Sequence, residues 1–177
     1  AHKWVWRARV SRGPGTEHAP NLIVSADEPI QWRRFSRYFD VELRVAEPTS
    51  EGSRLTPQSV AGLLDENTMA VAACLSSVST GDPDAVDELH QLLERVHGET
   101  GWDIPLHVDA AAGSFIMPFV EQGFSWDFRL PRVRTISISN HKYGGVYPGL
   151  SWLMFREPAA LPDDLTFGQQ VNGHLEQ

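Results

Sequence analysis

The strongest restriction on the fold comes from the regular alternation of short apolar segments with amphipathic ones. Residues 69–75 form a continuous apolar run, which is typical of a strand buried on both faces of a parallel sheet. Residues 82–97 then carry apolar side chains at helical spacing and predict a long helix. Further strands are predicted at 22–25, 41–45, 104–108, 134–139 and 151–155, and further helices at 1–12, 30–38 and 56–65. The alternation therefore predicts an α/β domain with a mostly parallel sheet.

Two residues of opposite charge follow two of these strands. Asp109 comes directly after the strand at 104–108, and Lys142 stands just beyond the strand at 134–139, 33 residues further along the chain. Parallel sheets bind ligands at the carboxyl ends of their strands. A lysine there can form a Schiff base with the aldehyde of pyridoxal 5′-phosphate (PLP), while a carboxylate keeps the pyridinium nitrogen protonated and makes the ring an electron sink. The sequence therefore predicts a PLP site with Lys142 and Asp109 as catalytic residues.

Several longer segments extend this prediction to a family. They are NLIV (21–24), FSRYFDVEL (35–43), HVDAA (107–111), WDFRLPRV (126–133), SISNHKYG (137–144) and VYPG (146–149). Together they cover most of the chain and resemble the glutamate decarboxylases, a branch of the group II PLP-dependent decarboxylases. DFRLPRV and HKYG are specific to that branch rather than to PLP enzymes in general.

The resemblance implies a fold, a reaction and a set of site residues. The fold is the large domain of PLP-dependent transferases (fold type I), and the reaction is decarboxylation of L-glutamate to 4-aminobutyrate and CO₂ by a carboxy-lyase. Lys142 carries the Schiff base and Asp109 pairs with the pyridinium nitrogen. The resemblance also implies cofactor contacts from His141, from Ser139 to the phosphate, and from Ala111 against the ring. The family's enzymes are dimers or higher homo-oligomers.

The chain departs from the family at three positions. Pro29 stands where the family has a glutamine over the cofactor ring, although Gln31 is close by. Val78 replaces a threonine near the cofactor, and Asn140 replaces a glycine before the His-Lys pair. Asparagine tolerates positive φ better than most residues, so the third change is compatible with the family's backbone. The first two leave open an alternative, a catalytically impaired or non-catalytic remnant of the family.

A second alternative belongs to another class of protein. His107 and Asp109 share one face of a strand, and a His-x-Asp pair can bind a metal ion. With His141 as a third ligand, the same residues would form the centre of a metal-dependent hydrolase. The DFRLPRV and HKYG segments favour the PLP enzyme over this alternative.

Composition excludes several other functions. The net charge is −8 and no basic patch stands out, which argues against nucleic-acid binding. The longest apolar runs are far shorter than a membrane span. The single cysteine, Cys74, excludes an internal disulfide and fits a reducing compartment, so we expect a cytoplasmic protein. Cys74 lies in an apolar run and is expected to be buried rather than reactive.

The resemblance also predicts how the chain is divided. Residues 1–157 correspond to part of the PLP-binding large domain, and residues 158–177 to the start of the connection to a C-terminal small domain. The large domain is expected to be incomplete at both ends. We therefore expect the 177 residues alone to be inactive.

Overall fold

A six-stranded sheet forms the centre of the computed structural model, which describes residues 2–10, 19–27, 30–49, 52–161, 169–171 and 174–176. The strands are β1 (Asn21–Ser25), β2 (Glu42–Ala46), β3 (Thr68–Cys74), β4 (Leu106–Asp109), β5 (Val133–Ser139) and β6 (Ser151–Phe155). Their order is β2-β1-β3-β4-β5-β6, with the first five parallel and β6 antiparallel to β5. The predicted α/β fold with a mostly parallel sheet is therefore confirmed.

Both faces of the sheet are covered, which explains the continuous apolar run of β3. Val71 and Ala73 pack in the core cluster that holds α4 (Val86–Thr100), whose buried side chains include Leu89 and Leu93. Ala70 and Ala72 belong to a second cluster on the other side. That cluster includes Trp6 of α1 (His2–Val10) and is flanked by apolar side chains of α2 (Ile30–Phe39). Alternate residues of a strand point to opposite faces, so a strand buried twice must be apolar throughout.

The remaining helical segments are short. They are α3 (Pro57–Val60), α5 (Met117–Val120), α6 (Asn140–Tyr143) and three single 3₁₀ turns, at Ala61–Leu63, Gly113–Phe115 and Pro158–Ala160. Two strands, β7 (Gln169–Val171) and β8 (His174–Glu176), pair with each other in a separate antiparallel sheet. Within the part of the chain that the structure describes, no helix is both long and apolar enough to span a bilayer.

The helix predicted at 82–97 begins four residues later, at Val86. The cause is Asp84. A residue that starts a helix usually lies in solvent, whereas Asp84 is only 2% exposed. Its Oδ1 accepts a hydrogen bond from Leu55 N and its Oδ2 one from Cys74 N, both at 2.6 Å. Asp84 thereby joins the end of β3 to the residues before α3, and the backbone turns into α4 only after this contact.

The helix predicted at 56–65 starts as expected but ends early. Thr56 caps α3, with its side chain accepting from Ser59 N and the Ser59 side chain accepting from Thr56 N. After the 3₁₀ turn, Asp65 accepts hydrogen bonds from Asn67 N and from Asn21 Nδ2, both at 2.8 Å. These contacts hold the chain in a turn before β3, so the helix cannot continue to residue 65.

Two arginines fix the DFRLPRV segment, which leads into β5. Arg132 is buried and forms ion pairs with Glu94 at 2.7 Å and Asp103 at 2.6 Å. Arg156 lies 5.6 Å from the Phe128 ring centroid and donates to the carbonyls of Phe128, Leu130 and Val133. Buried carbonyls need such donors, so this segment has a clear structural role.

Candidate active site

A cavity of about 970 Å³ opens at the edge of the sheet where the parallel strands end. All five predicted site residues line it: Asp109, Ala111, Ser139, His141 and Lys142. The topology explains their meeting. Asp109 pairs with Ser137 across β4 and β5, and Ser139 pairs with Ser151 of the antiparallel β6. The sheet thus brings Asp109 and Lys142, which are 33 residues apart in sequence, to the same cavity.

Asp109 is held through one of its two carboxylate oxygens. Oδ1 accepts a hydrogen bond from Ala111 N at 3.0 Å and one from Ser137 Oγ at 3.4 Å. Among the described residues, no protein group donates to Oδ2. The side chain is half-buried and lines the cavity. The first oxygen therefore fixes the orientation of the carboxylate, and the second is available to a ligand.

Lys142 lies on α6, which directly follows β5. Its side chain is exposed in the cavity, and no ion pair holds its Nζ within the described chain. The turn after it requires a glycine at 144, because a Cβ there would stand 2.5 Å from the Asn140 carbonyl oxygen. This tight turn ends α6 immediately after Lys142 and Tyr143.

His141 and Ser139 border the same space. His141 is half-buried, and its Nδ1 lies 3.3 Å from the Leu150 carbonyl oxygen. A carbonyl can only accept, so Nδ1 carries a proton in this contact. Ser139 ends β5 and is half-buried, while Ala111 presents a small side chain beside Asp109.

Sequence reasoning did not assign a site role to several other residues that line the cavity. They are Asp27, Ile30, Trp32, Phe35, Ser137, Trp152 and Leu153. Ser137 carried a usable signal, since it shares the face of Ser139 in the alternating strand β5. Trp152 and Leu153 could not be found in this way, because their position depends on the direction of β6.

A polar network continues from Asp109 below the cavity. His107 Nε2 lies 3.4 Å from Ser137 Oγ, and its Nδ1 lies 2.8 Å from Thr135 Oγ1. His2 Nε2 of α1 lies 2.8 Å from the same threonine oxygen. Burial lowers the pKa of His107 to about 4, although the charge of Asp109 acts in the opposite direction. Burial, and secondly His107, lowers the pKa of His2 to about 3, so both rings are neutral near pH 7.

This network argues against the metal-site alternative. Both ring nitrogens of His107 contact hydroxyl groups, and one nitrogen of His141 donates to a carbonyl. In the described ranges no three His, Cys, Asp or Glu side chains are arranged to hold a metal ion.

Cys74 is half-buried, donates its thiol to the Ser76 carbonyl at 3.1 Å, and has its pKa raised to about 11 by burial. It therefore has the unreactive character expected of it.

The three departures from the family pattern have different outcomes. Val78 lines the cavity and is 75% exposed. Gln31 lines it too, whereas Pro29 lies outside the described residues. Asn140 starts α6 without positive φ, and its side chain is buried. The change from glycine therefore does not call on left-handed backbone at this position.

Comparisons with known proteins show the family to which the chain belongs. The model of the pyridoxal-dependent decarboxylase conserved domain matches residues 1–174. Glutamate decarboxylase 5 of Arabidopsis thaliana is 41% identical over 93% of this chain and 33% of its own length. Glutamate decarboxylase of Aliivibrio fischeri is 42% identical over 98% of this chain and 37% of its own length.

A solved structure extends the likeness to three dimensions. The glutamate decarboxylase of Lactobacillus brevis superimposes with a TM-score of 0.92 at 33% identity, covering 99% of this chain and 40% of that one. The chain thus spans about a third of the length of the curated relatives that it matches. With the domain match extending over nearly every residue, the chain belongs to the family of pyridoxal-dependent decarboxylases.

Proposed function

We propose that the protein carrying this chain is a glutamate decarboxylase, which removes the α-carboxylate of L-glutamate to give 4-aminobutyrate and CO₂. One observation carries the proposal: Asp109 and Lys142, a carboxylate and an amine, line the same cavity at the ends of neighbouring strands. The glutamate decarboxylases among the relatives support the choice of substrate.

The residues of the cavity fit PLP, the cofactor that family membership implies. An exposed amine on Lys142 can hold the aldehyde carbon, and the second oxygen of Asp109 can accept from the ring nitrogen. Ser139 offers a hydroxyl donor for the phosphate. His141 and Ala111 offer a flat surface and a small one on which an aromatic ring can pack. Bound in this way, PLP supplies a sink for the electron pair that remains when CO₂ leaves.

We assign each of these residues a part in the reaction. Lys142 would anchor the cofactor through Nζ and be released as a free amine when the substrate amine takes its place. The carboxylate of Asp109 would keep the proton on the ring nitrogen, because an opposite charge favours the charged form of its partner. The apolar side chains of Trp32, Trp152 and Leu153 would limit the access of water to the reacting carbon.

The covalent role of Lys142 is tested by borohydride reduction of the full-length protein with PLP, followed by mass spectrometry. We expect a pyridoxyl adduct on Lys142 and its loss in Lys142→Ala. Lys3, the other lysine of the chain, lies on α1, and Lys3→Ala is the matched control that keeps the adduct. An adduct on any lysine other than Lys142 would contradict the proposal. Turnover of glutamate then separates an active enzyme from a non-catalytic relative.

We also propose that the full-length protein is a cytoplasmic homo-oligomer. A single cysteine fits a reducing compartment. Beside the cavity, Tyr147 is 86% exposed, and Leu150, Trp152 and Leu153 are also exposed. Such an apolar patch is typical of surface that another part of an assembly covers. Sedimentation of the full-length protein tests this proposal, and a monomer at micromolar concentration would contradict it.

A further inference from the structure

Five side chains form a continuous hydrogen-bonded row that ends at Asp109. In order they are His2, Thr135, His107, Ser137 and Asp109. The two contacts of Thr135 Oγ1 are 2.8 Å long, and the two contacts of Ser137 Oγ are 3.4 Å long. The row crosses from α1 over β5 and β4, so its members come from distant parts of the chain.

The chemistry of the groups allows only one proton arrangement when Asp109 is ionised and both histidines are neutral. An ionised carboxylate only accepts, so the Ser137 hydroxyl donates to Asp109 and its oxygen accepts from His107 Nε2–H. The Nδ1 of His107 is then unprotonated and accepts from the Thr135 hydroxyl. The threonine oxygen in turn accepts from His2 Nε2–H. Every donor therefore points towards Asp109.

The surroundings keep both histidines neutral. Burial lowers the pKa of His2 and of His107, and the nearest groups include no carboxylate except Asp109 itself. The rings of Trp32 and His2 lie edge-on to the His107 ring, with centroids 5.6 and 6.5 Å away. Arg134, through its positive charge, further disfavours a proton on His2. Lys142 lines the same cavity as His107, Ser137 and Asp109.

We infer that His107 and Ser137 are positioning residues that fix the orientation of Asp109, so that its second oxygen meets the ring nitrogen of the cofactor and the proton stays there. The inference rests on the proposed function. The Ser137 hydroxyl contacts one oxygen of Asp109 and is itself held by His107, so the carboxylate cannot rotate without losing this partner. Thr135 and His2 fix the tautomer of His107, in the way that second partners fix other functional histidines.

The test uses full-length protein reconstituted with PLP that carries nitrogen-15 in the ring, observed by NMR. We expect a protonated ring nitrogen in the wild type. In His107→Phe and in Ser137→Ala the resonance should move towards that of neutral pyridine. The dissociation constant for PLP should rise about threefold to tenfold, the range of an ordinary hydrogen bond rather than of one to a charged group, because the contacts are long.

Two further variants make the test specific. His107→Gln can again donate an N–H near the Nε2 position, so it should restore the wild-type resonance. His97→Phe, a change of an exposed histidine on α4, should leave the resonance unchanged. Ser137→Ala removes a single atom, so it remains informative if His107→Phe does not fold. A wild-type resonance in both His107→Phe and Ser137→Ala overturns the inference.

The two proposals fail in different ways. Without a pyridoxyl adduct on Lys142 in the wild type, the proposed function fails and this inference fails with it. If the adduct forms and Asp109→Asn shifts the ring-nitrogen resonance, while the His107 and Ser137 variants do not, then only the positioning role is wrong.

Discussion

At the scale of single residues, the site depends on the unequal use of the two oxygens of Asp109. Oδ1 is occupied by Ala111 N and Ser137 Oγ, whereas Oδ2 has no donor among the described residues. An asparagine can accept the same Ala111 N–H through its carbonyl oxygen, so the fold at this position should survive the substitution. What it loses is the negative charge, and only a charged partner holds a proton on a pyridine nitrogen near neutral pH.

We therefore expect Asp109→Asn to bind PLP but to decarboxylate glutamate roughly 10²- to 10⁴-fold more slowly, the range of a lost proton-holding group. Steady-state turnover of the full-length protein measures the loss. Asp127→Asn is the matched control, because Asp127 pairs with Arg129 on another part of the surface. Turnover of the Asp109 variant at the wild-type rate would mean that Asp109 has only a structural role.

At the scale of the secondary-structure elements, Asp84 connects β3, the residues before α3, and α4. Burial raises the pKa of its carboxyl to about 6, although the hydrogen bonds from Cys74 N and Leu55 N act in the opposite direction. In the unfolded chain the pKa is near 3.8. The folded state therefore binds the proton more tightly, and the free energy of unfolding falls as pH rises from about 4 to about 6.

The expected decrease in the free energy of unfolding is about 3 kcal/mol, because the pKa of Asp84 differs by about two units between the folded and unfolded chain. His107 acts the other way, since its lowered pKa makes the fold less stable as pH falls below its usual value of 6.5. The comparison of variants separates the two effects. Thermal unfolding of the full-length protein gives the free energy of unfolding at each pH. The free energy of unfolding of the wild type relative to Asp84→Asn should decrease between pH 4 and pH 6. Relative to Asp82→Asn, an exposed neighbour, it should stay constant.

The elements also show what the sequence could and could not predict. The run at β3 and the alternation in β5 predicted the parallel sheet, and the strand ends predicted where Asp109 and Lys142 would lie. The start of α4 was missed because Asp84 looks like a helix-initiating residue until its distant partners are known. The row from His2 to Asp109 was missed for the same reason, since His2 and Thr135 are 133 positions apart. Local patterns report local structure, whereas these contacts depend on packing.

At the scale of the whole molecule, the chain exposes large apolar side chains around a well-formed sheet. It spans about a third of the length of its relatives, and large apolar side chains such as Phe119 and Tyr147 are more than three-quarters exposed. Helix N-termini are common phosphate sites, and α4, the longest described helix, begins at Val86, which does not line the cavity.

We therefore expect the isolated 177 residues to bind PLP weakly and to leave glutamate unchanged. Exposed apolar surface of this extent also favours self-association of the segment. Titration with PLP, followed by visible absorbance, measures the affinity, and the full-length protein is the control. Stoichiometric binding at micromolar PLP by the segment alone would contradict the expectation.

The contacts of Arg156 bear on how relatives of this protein should be classified. Its guanidinium group binds three carbonyls of the DFRLPRV segment, on which the resemblance to the glutamate branch partly rests. Within that signature, Phe128 lies against Arg156 and Arg132 pairs with Glu94 and Asp103, so the signature records how the backbone enters β5 rather than which amino acid is consumed. A gene copy that has lost its chemistry would keep the signature, because the fold still needs it. Inheritance of activity is better traced through the residues that line the cavity, among which Val78 and Gln31 are the first to compare.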